Sequence, residues 1–352
     1  MANFGVPYQG SKNNIARELI NQLPSADYFV DIFAGGCAMT HAAMVSGKYK
    51  HFIANDLDGR GVELFKRAIN GEYKNETRWI SREDFHKLKD SDPYVSICWN
   101  FGGKLDGTYL YGEEIAPYKR ALHYVVMFDE WEEFDKLCPE VCDIAKQHLK
   151  RFTSTKNRRI EIGRVIVSKL KDMNDWSVVE NNPLYKSAHW RGGFNDVKQN
   201  QDLQSLQSLE SLERLERLQS LERLERLESL ERLQSLERLP YLTTSKLDYK
   251  SVEIPPNSVI YCDPPYKNTA GYRGEFDHNE FYTWALAQKQ PVFISELTAP
   301  SAFECVWKKP ISNRLNGKGS DGQRTECLFT NKAGYKAWKS EFMNGRLFDP
   351  GI

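Results

Sequence analysis

The run from Tyr28 to Asp56 constrains this chain more than any other. Tyr28-Phe29-Val30-Asp31-Ile32-Phe33 has the apolar, β-branched and aromatic composition of a strand buried on both faces. Ala34-Gly35-Gly36 reads as a tight turn, and Ala38 to Val45 as a helix of small residues that packs closely on a sheet. His51-Phe52-Ile53-Ala54 is a second short strand ending at Asn55-Asp56, and Gly61 to Ile69 is again helical. Strand, Gly turn, helix, strand, acidic residue is the opening of a doubly wound, Rossmann-like α/β sheet that binds a nucleoside. A further helix is predicted just before it, over Asn14 to Gln22, where Ile15, Leu19 and Ile20 fall at helical spacing ahead of Pro24.

Strand-like composition resumes only near the end of the chain. It returns at Pro240 to Thr244, then in Ser258-Val259-Ile260-Tyr261-Cys262, in Pro291 to Ser295 before Glu296, and in the alternating run Arg324 to Thr330. The sheet is therefore expected to be shared by the two ends. The division predicted is residues 1–69 and 240–352 for the sheet, 70–200 for a mainly helical region, and 201–239 for an inserted repeat. A length of 352 residues accommodates two such units.

In the repeat, Leu recurs every third residue from Leu203 to Leu239, thirteen times without a miss, and the step continues to Leu242. The pairs between are Gln-Ser, Glu-Ser and Glu-Arg, and Glu to Arg at four-residue spacing, as in Glu210 and Arg214, supports a helix. At 3.6 residues per turn, however, such leucines step back by about 60° each and circle the helix instead of forming a stripe. A 3₁₀-helix or a solenoid of short strands are the alternatives. An α-helix is the reading preferred, with self-association through residues 203–242 as its functional use and a tolerated repeat in a loop as the plain one.

Charge and cysteine usage bound the rest. The net formal charge is zero, which argues against a generally basic coat but not against a local patch. Residues 146–171 hold nine Lys or Arg against the single Glu161, and Lys150, Arg151, Lys156, Arg158 and Arg159 are the densest part, suited to a phosphate backbone. Seven cysteines without a CxxC pair fit a reducing compartment, and no metal site is expected. The N-terminus lacks the regions of a signal peptide, and no apolar run approaches the ~18 residues of a membrane span, so a cytoplasmic location is expected.

The chemistry is carried by Asp263-Pro264-Pro265-Tyr266, which directly follows the strand Ser258 to Cys262. Asp263 offers a carboxylate acceptor for an exocyclic amino group. Pro264 fixes the chain so that its own carbonyl accepts a second N–H, and Tyr266 provides an aromatic face for a planar base. That is the equipment for methylating an amine on a nucleobase.

Three ordered elements resemble the Dam-type (D12 class) adenine-N6 DNA methyltransferases. Asp31-Ile32-Phe33-Ala34-Gly35-Gly36-Cys37-Ala38 resembles the FxGxGA cofactor loop. Pro7-Tyr8-Gln9-Gly10-Ser11-Lys12 is similar to the family's aromatic-x-Gly-Gly-Lys element, and the Asp-Pro-Pro-Tyr motif comes last. Gly193-Phe194-Asn195 is similar to a segment of the family's recognition region. Two positions depart from the pattern. Cys37 replaces the last glycine of the loop, tolerable if Gly36 absorbs the strained dihedral, and Ser11 replaces a glycine of the N-terminal element.

The resemblance implies transfer of a methyl group from S-adenosylmethionine to adenine N6 of double-stranded DNA, on a base flipped out of the helix and stacked on Tyr266. It implies cofactor binding by Tyr8, Lys12, Phe33, Ala34, Gly35, Gly36, Asp56 and Asp263, and catalysis by Asp263, Pro264, Pro265 and Tyr266. Base selection would fall to residues 70–200, with Trp99, Asn100, Phe101, Trp190 and Arg191 as candidates and Arg191 a further DNA contact. Cytosine-N4 methylation uses a similar motif, and Asp263 in its first position favours adenine. RNA or protein glutamine is a weaker target, and a non-catalytic nucleoside-binding scaffold that oligomerises through the leucine tract is the reading from another class.

Overall fold

A computed structural model describes residues 4–8, 10–73, 76–101, 107–173, 182–188, 241–265, 276–312 and 323–343. The leucine repeat, Gly193-Phe194-Asn195, Trp190, Arg191 and Tyr266 lie outside the described residues.

Seven strands form one sheet: β1 (Tyr28–Asp31), β2 (His51–Asn55), β3 (Leu242–Ser245), β4 (Ser258–Cys262), β5 (Val292–Glu296), β6 (Glu304–Ser312) and β7 (Gln323–Thr330). Their order is β3-β2-β1-β4-β5-β7-β6. The first five are parallel, and β7 runs antiparallel between β5 and β6. The chain builds outward from β1 to β3, then returns to lay β4 against the other side of β1. That reversal leaves a crevice outside the carboxyl ends of β1 and β4, the position where open α/β sheets bind ligands.

Both faces are covered, as parallel strands require. Alternate residues of each central strand enter opposite cores. Phe29, Val259, Tyr261 and Phe293 pack under α1 (Ala16–Gln22), α2 (Ala38–Ser46) and α3 (Arg60–Ile69). Val30, Ile260, Cys262, Val292 and Ile294 pack on the other face with Phe281 and Ala285. The same first core takes in Phe85 of α4 (Arg82–Leu88), Tyr94 and Val95 of α5 (Pro93–Cys98), and then Trp99, Tyr109 and Tyr111.

The packing of the sheet thus reaches Tyr111, well past residue 69, because a set of aromatic rings interlocks there. Trp79 stacks on Tyr111 with centroids 5.5 Å apart and meets Trp99 edge-on at 5.2 Å. Trp99 and Asn100, weighed above as base contacts, are accordingly buried, at 0% and 1% exposure, and serve this core instead. Phe101 is half-buried.

Beyond it, α6 (Ala116–Phe128), α7 (Glu132–Leu137), α8 (Pro139–Leu149), α9 (Thr155–Met173) and α10 (Pro183–Ala188) enclose a second core that includes Val125, Phe134, Val141, Leu149, Ile162 and Ile166. Arg158 belongs to the frame of this unit. Its guanidinium donates to the carbonyls of Val126 (3.2 Å) and Val125 (2.7 Å) and pairs with Asp129 at 2.5 Å, closing the C-terminus of α6. A cation satisfies the last carbonyls of a helix well, which is why this arginine is held at the end of α6. Among the described residues, no helix is long and apolar enough to cross a membrane.

The strand β6 escaped the sequence reading because Lys308, Lys309 and Pro310 interrupt its apolar pattern. It is the sheet edge, where lysine and proline are tolerated. The last two helices, α11 (His278–Ala287) and α12 (Lys332–Phe342), pack on either side of β5 and β7.

Asn331 joins these elements. Its Oδ1 accepts from the Gly334 amide (2.9 Å) at the start of α12 and from the Val292 amide (3.2 Å), and its Nδ2 donates to the carbonyls of Ala285, Gln288 and Gln290. Replacing Asn331 by Ala leaves buried groups unpaired and uncaps the helix, so the urea midpoint is expected to fall by the equivalent of about 2–4 kcal/mol.

Candidate functional site

The site is built at the carboxyl ends of the parallel strands β1, β2, β4 and β5, with Glu326 supplied from the middle of the antiparallel β7. After β1 the backbone turns through Ile32 to Cys37 into α2, and the left-handed conformation falls on Gly35 (φ 48°) and on Cys37 itself (φ 59°). Gly36 does not absorb the strain, as was expected of it. Its requirement is space: a Cβ there would lie 2.5 Å from the Val6 carbonyl oxygen and 2.6 Å from Tyr8 Cβ. Cys37, with its side chain buried against the sheet, holds a conformation costing a non-glycine residue ~1 kcal/mol or more.

Tyr8 lies over this loop. A Cβ at Gly35 would stand 3.0 Å from the Tyr8 ring, and one at Gly61, in the first turn of α3, only 2.1 Å from the Gly35 carbonyl oxygen. Backbone from three segments therefore meets in one place that only glycine allows. Ala34 is buried beneath it, whereas Phe33 turns to the opposite face of the sheet and packs against Tyr249, Phe276 and Phe281 at 5.5–5.7 Å.

Asp56, at the end of β2, fixes the loop from the side. Its Oδ2 accepts from the Gly35 amide at 2.9 Å and its Oδ1 from the Asp58 amide at 2.9 Å, while burial holds its pKa above the usual aspartate value. Next to it Asn55 ties three strand ends together. Its Nδ2 donates to the carbonyls of Ile32 (3.1 Å) and Leu247 (3.0 Å), and its Oδ1 accepts from Ser245 Oγ (2.7 Å) and the Leu247 amide (3.0 Å). Leu57 and Leu247 beside them are 62% and 43% exposed, an apolar lining that composition alone did not single out. A cleft of about 390 Å³, lined in part by Asp58, Arg60, Asp92 and Lys246, opens beyond Asp56 and not at Asp263.

Asp263 leaves β4 into Pro264, which is buried, and Pro265, whose carbonyl accepts from His278 Nε2 at 2.8 Å. Nothing in the sequence linked His278 to the motif, since it lies thirteen residues away on α11. The Asp263 carboxylate is held by Lys12, with Nζ at 2.6 Å from Oδ1 and 2.7 Å from Oδ2. The same ammonium is 3.6 Å from Oε1 of Glu326, a buried residue of β7 whose Oε1 accepts from Ser295 Oγ at 2.6 Å. Lys12 is itself 8% exposed.

Among the described residues, carboxylates thus outnumber cations here. Burial pushes Asp263 up to about 6, against the opposing pull of Lys12, and pushes Glu296 at the end of β5 up to about 7. Asp31, buried at the end of β1, is raised to about 7, mainly by burial, although the Thr40 amide and hydroxyl donate to its Oδ2 at 3.2 and 2.7 Å. Its Oδ1 and the Oε2 of Glu296 have no hydrogen-bond partner among the described residues.

Of the residues read as DNA contacts, Lys150 and Arg151 are exposed between α8 and α9 and Lys156 is exposed in the first turn of α9, Arg159 is half-buried, and Arg158 is committed to α6 as described. They stand on the helical unit, apart from the strand ends.

The raised carboxylates set the pH response of the fold. A group whose pKa is near 4 unfolded and about 7 folded keeps its proton in the folded chain across that interval, so its contribution is intact below pH 4 and is lost as pH rises through 7. Stability is therefore expected to decline from pH 5 to pH 8, by up to about 1.4 kcal/mol per pH unit for each group while it titrates. Asp31→Asn, which keeps the acceptor for Thr40, should flatten the decline when urea midpoints are compared at the two pH values.

A glycine loop under an aromatic ring, an acidic clamp on the next strand and a lysine-paired aspartate leading into Pro-Pro are set around one crevice, with Tyr8 and Lys12 supplied by the segment that precedes the sheet. Residues 8–127, from that segment through the glycine loop and Asp56 to the end of α6, match the family model of D12 class N6 adenine-specific DNA methyltransferases, and over those residues the chain is similar to that family.

Proposed function

We propose that the chain transfers a methyl group from S-adenosylmethionine to N6 of an adenine flipped out of double-stranded DNA, with Asp263 as the group that orients the amine. The observation that carries this reading is the bidentate contact of Lys12 with Asp263, which joins the N-terminal element to the motif strand across 251 residues of sequence, beside the glycine loop.

The residues present suit that donor. Gly35 and Gly36 let a ligand approach the backbone, Tyr8 and the exposed Leu57 and Leu247 offer apolar surface for a purine, and Asp56 stands where ribose hydroxyls are held in such sheets. Asp31, Asp263 and Glu296 make the crevice attractive to a cation. When bound, S-adenosylmethionine supplies an electrophilic methyl group on a sulfonium.

Adenine N6 is a weak nucleophile because its lone pair is delocalised into the ring. Asp263 Oδ and the Pro264 carbonyl accept its two hydrogens, which draws the nitrogen toward tetrahedral geometry and aims its lone pair. Orientation and fixed charge are sufficient for this step, without a covalent enzyme intermediate. Stacking of the extruded base is assigned to Tyr266, and Lys150, Arg151 and Lys156 are assigned to the phosphate backbone.

Two experiments follow. In a host lacking adenine methylation, expression of the chain should produce N6-methyladenine in one sequence context, and Asp263→Ala should reduce it by roughly 10²-fold or more. Unmodified DNA with the wild-type protein would sink the reading. The triple change of Lys150, Arg151 and Lys156 to Ala should weaken DNA binding on all sequences and lower the salt slope by about 2–3. Arg158→Ala, by contrast, should lower the melting temperature and leave that slope unchanged.

A further inference from the structure

We infer that Glu326 is a positioning residue for this reaction: it is the second carboxylate to which Lys12 shifts when the target amino group takes up an oxygen of Asp263. The inference rests on the reading of function given above.

Both oxygens of Asp263 are engaged by the Lys12 ammonium at 2.6 and 2.7 Å. Charge-assisted bonds of this kind are the strongest a carboxylate makes, and an oxygen so engaged is a poorer acceptor for a neutral amine. Each oxygen keeps a further lone pair, and it accepts from N6 more strongly once Lys12 loosens its hold. Glu326 Oε1 lies 3.6 Å from the same nitrogen, within ion-pairing range but beyond a hydrogen bond, so a movement of less than 1 Å converts the one into the other.

Glu326 is placed to receive it without moving. Ser295 Oγ donates to that same Oε1 at 2.6 Å, and the antiparallel register of β5 and β7 sets Ser295 opposite Leu328 and Glu296 opposite Cys327. At 1% exposure its charge is hardly screened by water, and a buried carboxylate is tolerated only beside a cation. Lys12 thus serves two buried acids from one position, and the direction in which it leans decides which of them is available.

Among the described residues, the titratable groups Glu296 on β5 and Asp31 on β1 also act on Asp263, and both disfavour further negative charge there. Glu326 does the same and holds the Asp263 carboxyl up.

The test is steady-state methyl transfer by the full-length protein and its Glu326→Gln, Glu326→Asp and Ser295→Ala variants on duplex DNA, read as kcat, KM and the acid limb of the pH profile. Glutamine keeps the acceptor for Ser295 but removes the charge. It is expected to lower kcat by about 10-fold or more with KM for DNA within about 2-fold, and to move the acid limb to lower pH as Asp263 becomes a stronger acid. Aspartate should restore part of kcat. Wild-type kcat and an unmoved acid limb in Glu326→Gln would overturn the inference, since a merely structural role shifts melting and not the pH profile.

If Glu326→Gln melts far below the wild type, Ser295→Ala decides: the charge stays and only its anchor is lost, so kcat should fall about 3-fold with the acid limb in place. Wild-type kcat in that variant would equally overturn the proposal. A wild-type protein that transfers no methyl group would instead refute the function on which the inference depends.

Discussion

Carboxylates brought together from neighbouring strands repel one another, and among the described residues one ammonium is shared between two of them. Lys12 is that ammonium. It arrives from a segment ahead of the first strand, contacts Asp263 on β4 and stands within reach of Glu326 on β7, so the N-terminus, the middle and the far side of the sheet are joined through a single nitrogen. Without it, Asp263 would rise further toward its neutral form.

The remainder of the site follows from close approach of backbone. Gly5, Gly36 and Gly61 each face a main-chain atom at a distance that admits no side chain, and Asp56 uses its carboxylate to hold the loop they form. Cys37 shows that the turn can be made with a side chain at the left-handed position, provided the side chain is small and the surrounding packing holds it there. Shape at this crevice is set by what is absent from the side chains, and charge by the acids that surround it.

Much of this was legible. The strand from Tyr28, the glycine turn, α2 and β2 were read within a residue or two, because a buried parallel strand and a small-residue helix leave patterns that no other element makes. Asp263 and Asp56 were singled out because motif and position agree, and both stand at strand ends. Long-range chemistry was not legible. Glu326 sits in a strand whose alternation is plain, but nothing local says that its carboxylate faces a lysine some three hundred residues earlier. Trp99 and Arg158 looked like nucleic-acid contacts because aromatic and basic residues have the same composition in a core or at a helix end as on a binding surface. The extent of the sheet's core to Tyr111 depended on rings from Trp79 onward meeting in space, which spacing does not record.

The passage of the chain from β2 to β3 carries a consequence of its own. Asn55 ends one strand and Leu242 begins its parallel neighbour, so a sheet that is contiguous in space is separated in time during synthesis. Until the ribosome has made more than two thirds of the chain, β1 and β2 present open edges with no partner strands, and the contacts that close them have high sequence separation. The helical unit, whose contacts are local, can form its core during that interval. The middle of the protein is therefore expected to settle first, and the two parts of the chain that share the sheet to meet last.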